Sequence, residues 1–482
     1  MKRILSMVMM IVITVTSFGF CSYNSNSVVS ADTVFWPSGP GLVAETAVMI
    51  DASTGSVLFD KKCHQKMYPA SITKIMTALL TIENCNLDDT VTFSQSAIDT
   101  LEPEAANIGA VVGEEMSVKD CLYALMLQSA NEVASALAEH VSGSIEEFAK
   151  LMNKRAKQAG ANDAHFANAC GLFNKKHYVT AYDMAKIMQA ALQYPVFREI
   201  INSSSYTLPT DNKRKEPLTI SQRHQMVQPW NSFHYDGIIG GKTGFVNESG
   251  TTLVTSAQRD GMTLITVVLN SPGTNSYVDT TALLDFGFKN FKLTNVSEND
   301  TRFENKSTFT NNFDSIFKTK LHRLSLSKDA VVVLPKDANF ADTTSTITLN
   351  EDSSDDNNTV ATISYSYGNH TIGTAPVLYS EVSNKISVNA TVTPEESTTV
   401  DTETSVDSEN SNNSSKVSDK DTTKKTTKKE TVSKSHFKFS SAIFKIIIIA
   451  VILVILAVII IFFKKKMDHL NAVRASKRRR NR

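Results

Sequence analysis

The chain has 482 residues, which is more than one ordinary domain needs. Its 49 basic and 49 acidic residues give a formal net charge of zero, and 41% of the residues are hydrophobic. The composition therefore indicates a foldable protein of about two or three domains and gives no global sign of nucleic-acid binding.

The N-terminus has the pattern of a secretory signal peptide. Lys2 and Arg3 precede a short apolar stretch, and the small residues ending at Ala31 offer a cleavage site. Cys21 raises the alternative of a lipid-attachment site, but the bulky Phe20 in front of it disfavours lipidation. Residues 1–31 are therefore predicted to be a signal peptide.

The next segment, residues 32–293, has the pattern of a mixed domain. Four hydroxyl residues, each followed three positions later by an acid, have the capping-box spacing that marks the start of a helix. They are the pairs Ser117/Asp120, Ser129/Glu132, Ser144/Glu147 and Thr180/Asp183. Alternating apolar runs precede and follow these helices, and Asp260-Gly261 joins two of the runs as a hairpin turn. The sequence predicts an antiparallel sheet flanked by helices.

The amino-acid pattern changes after this domain. Residues 294–392 contain short β-rich runs separated by Asn, Asp and Gly, which predict a small all-β domain. Residues 393–439 are almost all polar and predict a disordered stalk, because they bury too little apolar surface to offset chain entropy.

A transmembrane helix is predicted at residues 440–463. Its centre, Ile446–Phe463, is an unbroken apolar run of 18 residues, about 27 Å long as a helix and close to the thickness of a bilayer. The basic tail 464–482 follows at once, so the positive-inside rule predicts a cytoplasmic C-terminus and places the chain from about Asp32 to Lys445 outside the cell membrane. The basic residues are interpreted as a topology signal rather than as a nucleic-acid site.

Cysteines and histidines give no sign of a metal or cofactor site. The spacing of the cysteines left after signal removal fits neither a disulfide scaffold nor a zinc site, and their pairing stays open. Five histidines lack paired ligand spacing and are interpreted as structural or surface groups. These residues are Cys63, Cys85, Cys121 and Cys170, and His64, His165, His177, His224 and His234.

A Ser-x-x-Lys spacing stands at the head of an apolar helical run. Pro69 disfavours helix before it, so Ser71 and Lys74 share a face of the first turn. A serine becomes a nucleophile when a base takes its proton, and a lysine can do so when its pKa is depressed. The spacing alone also fits an ordinary capped helix, and it recurs at Ser315, Ser325 and Ser435.

Two further short motifs favour a catalytic pair over an ordinary capped helix. Ser129-x-Asn131 lies in the break between two predicted helices, and Lys242-Thr243-Gly244, the one Lys-Thr-Gly in the chain, precedes the hairpin strands. The ordered trio resembles that of penicillin-binding proteins and class A β-lactamases. The surrounding sequence, including "PASITKIMTALL" and "GLFNKKHYVTAYDMAKIM", resembles more narrowly the low-molecular-weight penicillin-binding proteins that are D-alanyl-D-alanine carboxypeptidases.

The resemblance implies a serine β-lactamase/transpeptidase-like α/β fold and a role for each motif residue. Ser71 would attack the D-alanyl-D-alanine bond of a peptidoglycan stem peptide, and Lys74 would be the base, which Lys242 would help keep neutral by like-charge repulsion. Ser129 would relay a proton to the leaving amine, and β-lactams would be covalent inhibitors. The other implied roles are Asn131 orienting Lys74 and substrate, Lys242 and Thr243 holding the substrate carboxylate, Gly244 allowing close backbone approach, and the N–H groups of Ser71 and Phe245 forming the oxyanion hole.

One position departs from the family pattern. Many members carry an arginine for the terminal carboxylate just before the segment that matches "ALLDFGF", and this chain has none there. Carboxylate binding would then rest on Lys242 and Thr243, or on another basic residue such as Arg223.

Rival functions remain at this point. A class A β-lactamase would supply a Glu-x-x-Leu-Asn segment between the second and third motifs, and no such segment lies between Asn131 and Lys242. A membrane-anchored sensor or scaffold with an inactive fold is disfavoured because all the reacting residues are present. Endopeptidase or weak transpeptidase activity uses the same chemistry and stays open.

Overall fold

The computed structural model describes residues 35–303, 321–350 and 358–382. Within these residues, none of the helices combines the length and the apolarity that a membrane crossing requires. Four predicted segments lie outside the described residues: the signal peptide 1–31, the stalk 393–439, the transmembrane helix 440–463 and the tail 464–482.

The strands and helices follow the mixed pattern expected from the sequence. The strands are β1 Thr46–Asp51, β2 Val57–Lys61, β3 Thr90–Thr92, β4 Glu115–Ser117, β5 Ser205–Leu208, β6 Leu218–Ser221, β7 Ile238–Val246, β8 Gly250–Arg259, β9 Met262–Ser271, β10 Phe291–Asn295, β11 Leu321–Leu326, β12 Val331–Pro335, β13 Thr344–Leu349, β14 Thr359–Tyr367 and β15 His370–Val382. The helices are α1 Lys74–Asn84, α2 Gln95–Asp99, α3 Val118–Tyr123, α4 Asn131–Ser142, α5 Ile145–Gln158, α6 Ala181–Ala191, α7 Pro195–Asn202, α8 Asn275–Asn290 and α9 Val296–Asn299.

A five-stranded antiparallel sheet, in the order β2-β1-β9-β8-β7, forms the centre of the fold. Successive strand residues point to opposite faces, so β1 sends Val48 and Ile50 into the core beneath α1, α4 and α6. Its neighbours Ala47 and Met49 pack into a second core on the face covered by α8. Both faces are buried, as predicted for a sheet flanked by helices.

The hairpin predicted at Asp260-Gly261 is confirmed. Both residues have positive φ, 51° and 79°, and the register Arg259↔Met262 closes β8 onto β9. Two left-handed residues in succession match the right-handed twist of the strands, which is why Asp-Gly suits this turn.

Three of the four predicted helix caps are confirmed. Ser117, Ser144 and Thr180 each accept a hydrogen bond from the backbone N–H three residues on. The prediction for Ser129 is wrong, because α4 begins at Asn131 after Ala130, and Ser129 has left-handed dihedrals (φ 65°, ψ 29°) instead of the extended ones that a cap needs.

Beyond the central sheet, the chain forms a second antiparallel sheet in the order β11-β15-β14-β13, and β10 pairs with β12. The runs predicted as strands around residues 330–335, 345–349 and 359–382 are strands in the structure. Their apolar residues, among them Val332, Ile363 and Ile372, form a core of their own. The division of the chain into domains at residue 293 stays a prediction.

Candidate active site

Ser71 lies in a single 3-10 turn, Ala70–Thr73, directly before α1. Lys74 is the first residue of α1, and its Nζ donates a hydrogen bond of 3.1 Å to Ser71 Oγ. The predicted sharing of one helix face therefore becomes a direct contact between the two groups. This is the distance across which a lysine can take the proton of a serine hydroxyl.

The Lys74 side chain is completely buried and is held by two further acceptors. Its Nζ donates to Asn131 Oδ1 at 2.6 Å and to the backbone carbonyl of Cys170 at 2.8 Å. Burial lowers the pKa of Lys74 to about 8, and the Arg223 cation acts in the same direction, whereas Cys170 and Glu132 oppose it. A lysine with this pKa is partly neutral near pH 7 and can act as a base.

Ser129 ends a π-helical turn, Ala124–Gln128, and stands in the left-handed conformation before α4. Its side chain is 4% exposed and makes no hydrogen bond with any described residue. The hydroxyl lies at the wall of the same cavity as Ser71. Because the hydroxyl faces the cavity, it can donate to or accept from a polar ligand bound there.

Lys242, Thr243 and Gly244 lie in β7, the edge strand of the central sheet. A Cβ added at Gly244 would stand 2.8 Å from the backbone nitrogen of Ser71 and 2.5 Å from Thr252 Oγ1. Only a glycine lets the strand approach the 3-10 turn so closely. Gly244 thereby brings the backbone of Ser71 and that of Phe245, the next residue of β7, to one wall of the cavity.

Lys242 is buried beneath this strand rather than in the cavity wall. Its Nζ donates to the carbonyl of Thr243 at 2.9 Å, and burial, together with the Lys74 and Arg223 cations, holds its pKa well below the usual range. Burial is the largest cause of the lowered pKa of Lys74. The repulsion between the two lysine cations lowers the pKa of Lys242, in the sense expected from the sequence.

A cavity of about 750 Å³ opens above these groups. The predicted residues that line it are Ser71, Ser129, Asn131, Thr243, Gly244 and Phe245. Lys74 and Lys242 are buried next to these residues and do not line the cavity themselves. The structure therefore brings all eight predicted site residues to one place.

Arg223, suggested as a substitute for the absent family arginine, also lines the cavity. The stretch where that arginine is missing contributes Tyr277, from the first turn of α8. Its hydroxyl accepts a hydrogen bond from the backbone N–H of Gln225 at 3.4 Å, two residues after Arg223. The cation available to a substrate thus comes from the segment before β7 and not from α8.

A loop missed in the sequence closes one side of the cavity. Residues 102–106 line it, and the backbone N–H of Asn131 donates to the carbonyl of Ala106 at 2.8 Å. Glu132 accepts from the N–H of Ile108 at 2.7 Å. The start of α4 therefore holds both Lys74 and this loop, a link across more than twenty residues that no local motif indicates.

Comparison with known proteins identifies the family. The family model described as D-alanyl-D-alanine carboxypeptidase, peptidase S11, matches residues 33–273, half of the chain. The chain belongs to the D-alanyl-D-alanine carboxypeptidase family. This membership, together with the antiparallel sheet between helical layers, confirms the predicted serine β-lactamase/transpeptidase-like fold.

Relatives within this family come from several bacteria. The chain is 35% identical over 254 residues to D-alanyl-D-alanine carboxypeptidase DacF of Bacillus subtilis (strain 168), covering 52% of this chain and 63% of that protein. It is 32% identical over 263 residues to the D-alanyl-D-alanine carboxypeptidase of Streptomyces sp. (strain K15), covering 52% of this chain and 88% of that protein. The match thus spans less than two thirds of the Bacillus relative.

A solved structure covers the same part of the chain. The crystal structure of the Streptomyces K15 DD-transpeptidase aligns at 29% identity with a TM-score of 0.49, over 52% of this chain and 100% of that one.

Two of the histidines interpreted as structural lie close beneath the site. His177 Nε2 is 3.0 Å from Thr73 Oγ1, and His224 Nε2 is 2.8 Å from Thr255 Oγ1. Burial lowers the pKa of each to about 3, so both are neutral at pH 7. His177 Nδ1 also accepts a hydrogen bond from the backbone N–H of Ala167 at 3.3 Å, whereas the buried Nδ1 of His224 has no partner among the described residues.

Proposed function

We propose that the protein is a serine-type D-alanyl-D-alanine carboxypeptidase that removes the terminal D-alanine from peptidoglycan stem pentapeptides. The observation that carries the proposal is the contact of 3.1 Å between Lys74 Nζ and Ser71 Oγ, made by a lysine whose pKa is about 8. The family membership of the chain supports the same reaction class.

Acylation begins at Ser71. Neutral Lys74 takes the hydroxyl proton while Ser71 Oγ attacks the carbonyl carbon between the two D-alanines. The backbone N–H groups of Ser71 and Phe245 stabilise the resulting oxyanion, and Asn131 keeps Lys74 in place at 2.6 Å. The C–N bond then breaks to leave an ester on Ser71.

The leaving D-alanine requires a proton on its amine. Ser129, whose hydroxyl lies free at the cavity wall, relays that proton from Lys74 to the amine. Water then attacks the ester, with Lys74 again as the base, and releases the shortened stem peptide. Each proton taken from Ser71 or water is thus returned to a product or to Ser71.

The terminal carboxylate of the substrate meets a cationic region of the cavity. Thr243 and Arg223 line the cavity and can contact the carboxylate, whereas Lys242 is buried and does not line it. An arginine can bind a carboxylate with two parallel hydrogen bonds, which favours Arg223 as the substitute for the missing family arginine.

We place this activity on the outer face of the cell membrane. The proposed signal peptide 1–31 directs export, and the proposed helix 440–463 anchors the chain with its basic tail inside. The small β-rich domain 294–392 and the stalk 393–439 then set the height of the cavity above the membrane.

β-Lactams are the expected covalent inhibitors, because their strained amide and adjacent carboxylate mimic the D-alanyl-D-alanine end. The rate at which the adduct is lost separates this function from that of a β-lactamase. A carboxypeptidase of this kind keeps the adduct for minutes or longer, whereas a β-lactamase regenerates free enzyme and hydrolysed drug quickly.

Release of D-alanine from a diacetyl-L-lysyl-D-alanyl-D-alanine peptide tests the proposal. The wild-type chain should release one D-alanine per peptide, and the Ser71→Ala variant should release none above the uncatalysed rate. A wild-type protein that is acylated by penicillin but never releases D-alanine would contradict the carboxypeptidase proposal and would favour a sensor or scaffold.

A further inference from the structure

A second constellation of reactive side chains lies at the opposite end of the nucleophile helix. The donor atoms of Cys85, Asp89 and His140 lie within 4.8 Å of one another. Cys85 directly follows α1, Asp89 stands in the turn before β3, and His140 is in the last turn of α4. Sequence spacing gave no sign of this group, because His140 is more than fifty positions from Cys85 and Asp89 and only the fold brings it beside them.

The direction of α1 and α4 explains why these three residues meet. Lys74 begins α1 and Asn131 begins α4, and the hydrogen bond of 2.6 Å between their side chains joins the two starts. Because the two starts are joined and Cys85 and His140 meet at the other ends, the helices run side by side in the same direction. They contain 11 and 12 residues and so end about 17 Å from the catalytic lysine. Their ends therefore carry Cys85 and His140 as neighbours.

The electrostatics of this location favour a cation. Parallel helices place two negative dipole ends together, near the end of α1 at Asn84 and that of α4 at Ser142. The Asp89 carboxylate lies at the same place, and burial, followed by this carboxylate, raises the pKa of the Cys85 thiol.

The three donors match the preferences of one metal in particular. A thiolate, an imidazole and a carboxylate are the ligands that Zn²⁺ takes, with water in a fourth position. Two donors on a tetrahedral zinc ion are about 3.5 Å apart, so the group must contract by about 1 Å, which side-chain rotation of the half-buried Cys85 and the exposed His140 can supply.

Asp89 is already held in position for this role. Its Oδ2 accepts a hydrogen bond of 2.8 Å from the backbone N–H of Asn86, and its own carbonyl accepts from the N–H of Val118. Oδ1 has one long contact, 3.4 Å, with the amide of Asn86 and remains available as a ligand. The carboxylate is therefore oriented by a neighbouring group, as metal ligands usually are.

We propose that Cys85, Asp89 and His140 form a zinc-binding site that joins the C-terminal ends of α1 and α4. The ion replaces the thiol proton of Cys85, which is released to solvent, and no electron transfer takes place. A zinc ion bound here connects the far ends of the two helices that carry Lys74 and Asn131. The site is independent of the chemistry proposed for Ser71.

The experiment uses the full chain in detergent, stripped of metal with a chelator and titrated with Zn²⁺ by calorimetry. We expect one equivalent to bind, and both Cys85→Ser and His140→Gln to weaken binding by more than about tenfold, since each removes one of three protein ligands. His64→Gln is the matched control, because His64 is another surface histidine beside an aspartate and should bind as the wild type does.

Titration with Co²⁺ identifies the thiolate ligand directly. The wild type and the His64→Gln variant should develop a sulfur-to-cobalt charge-transfer band that is absent from Cys85→Ser. Penicillin acylation of each variant verifies that it is folded. A wild type that binds no stoichiometric zinc, or variants of Cys85 and His140 that bind zinc as the wild type does, would overturn the proposal.

Discussion

At the scale of single residues, the depressed pKa of Lys74 makes a prediction about pH. Lys74 must be neutral to accept the Ser71 proton, and its pKa is about 8 because it is buried. Below that pH the neutral fraction falls about tenfold per unit, so the rate of acylation by a β-lactam should rise with pH and level off above about 8. Stopped-flow acylation across this range measures it, and a flat profile would mean that another group is the base.

The close approach of β7 to Ser71 requires that position 244 carry no side chain. In Gly244→Ala the new methyl group would lie 2.8 Å from the Ser71 nitrogen, so β7 must move away from the 3-10 turn. We expect acylation to slow by about a hundredfold, the loss typical of removing one oxyanion-hole donor. Gly41→Ala, where nothing lies within 4 Å, is the control and should acylate at the wild-type rate.

The catalytic residues show how far local spacing can predict a site. Ser71 and Lys74 are three positions apart, so helix geometry alone predicted their contact. Asn131 is 57 positions from Lys74, and its place beside Nζ followed from family resemblance and not from spacing. The Cys170 carbonyl, the third partner of Lys74, carries no side-chain signal and was missed.

At the scale of elements, the turn after Cys170 supports the nucleophile turn. Gly171 has a φ of 90°, and a Cβ there would stand 1.9 Å from the Ala70 carbonyl. Gly171→Ala should destabilise the fold by at least about 2 kcal/mol, because it adds backbone strain to a direct clash. Denaturant unfolding of the full chain measures this loss.

The Gly143→Ala variant is the control that separates the cost of backbone strain from the cost of the steric clash at Gly171. Gly143 also has a positive φ, 76°, but nothing lies within 4 Å of its added Cβ. It should cost only about 1 kcal/mol, the usual penalty for a left-handed alanine. Equal losses in the two variants would contradict the close packing of Gly171 against Ala70.

Helix and hairpin boundaries were predictable where the signal is local. Capping side chains at Ser117, Ser144 and Thr180 and the Asp260-Gly261 turn all act within four residues. Ser129 has the same capping spacing but adopts φ 65° after a π-helical turn, which turns its hydroxyl toward the cavity instead of the helix. Tertiary structure overrides the local preference at this functional position.

At the scale of the whole molecule, we expect that the segment that anchors the chain in the membrane can be removed without loss of penicillin binding. A chain that ends at residue 392 lacks the proposed stalk, transmembrane helix and basic tail. Membrane fractionation of cells should find it in the soluble fraction, with the full chain in the membrane fraction, and both should bind penicillin. A truncated chain that stays in the membrane fraction would contradict the proposed anchor.

We propose Ser71 as the nucleophile of a penicillin-sensitive peptidase. Intact-mass spectrometry of the protein mixed with benzylpenicillin tests it most directly. We expect one penicilloyl adduct that lasts for minutes or longer, maps to the peptide containing Ser71 and is absent from a Ser71→Ala variant with unchanged circular dichroism. Full labelling of that variant, or a folded wild type that never gains the mass, would contradict it.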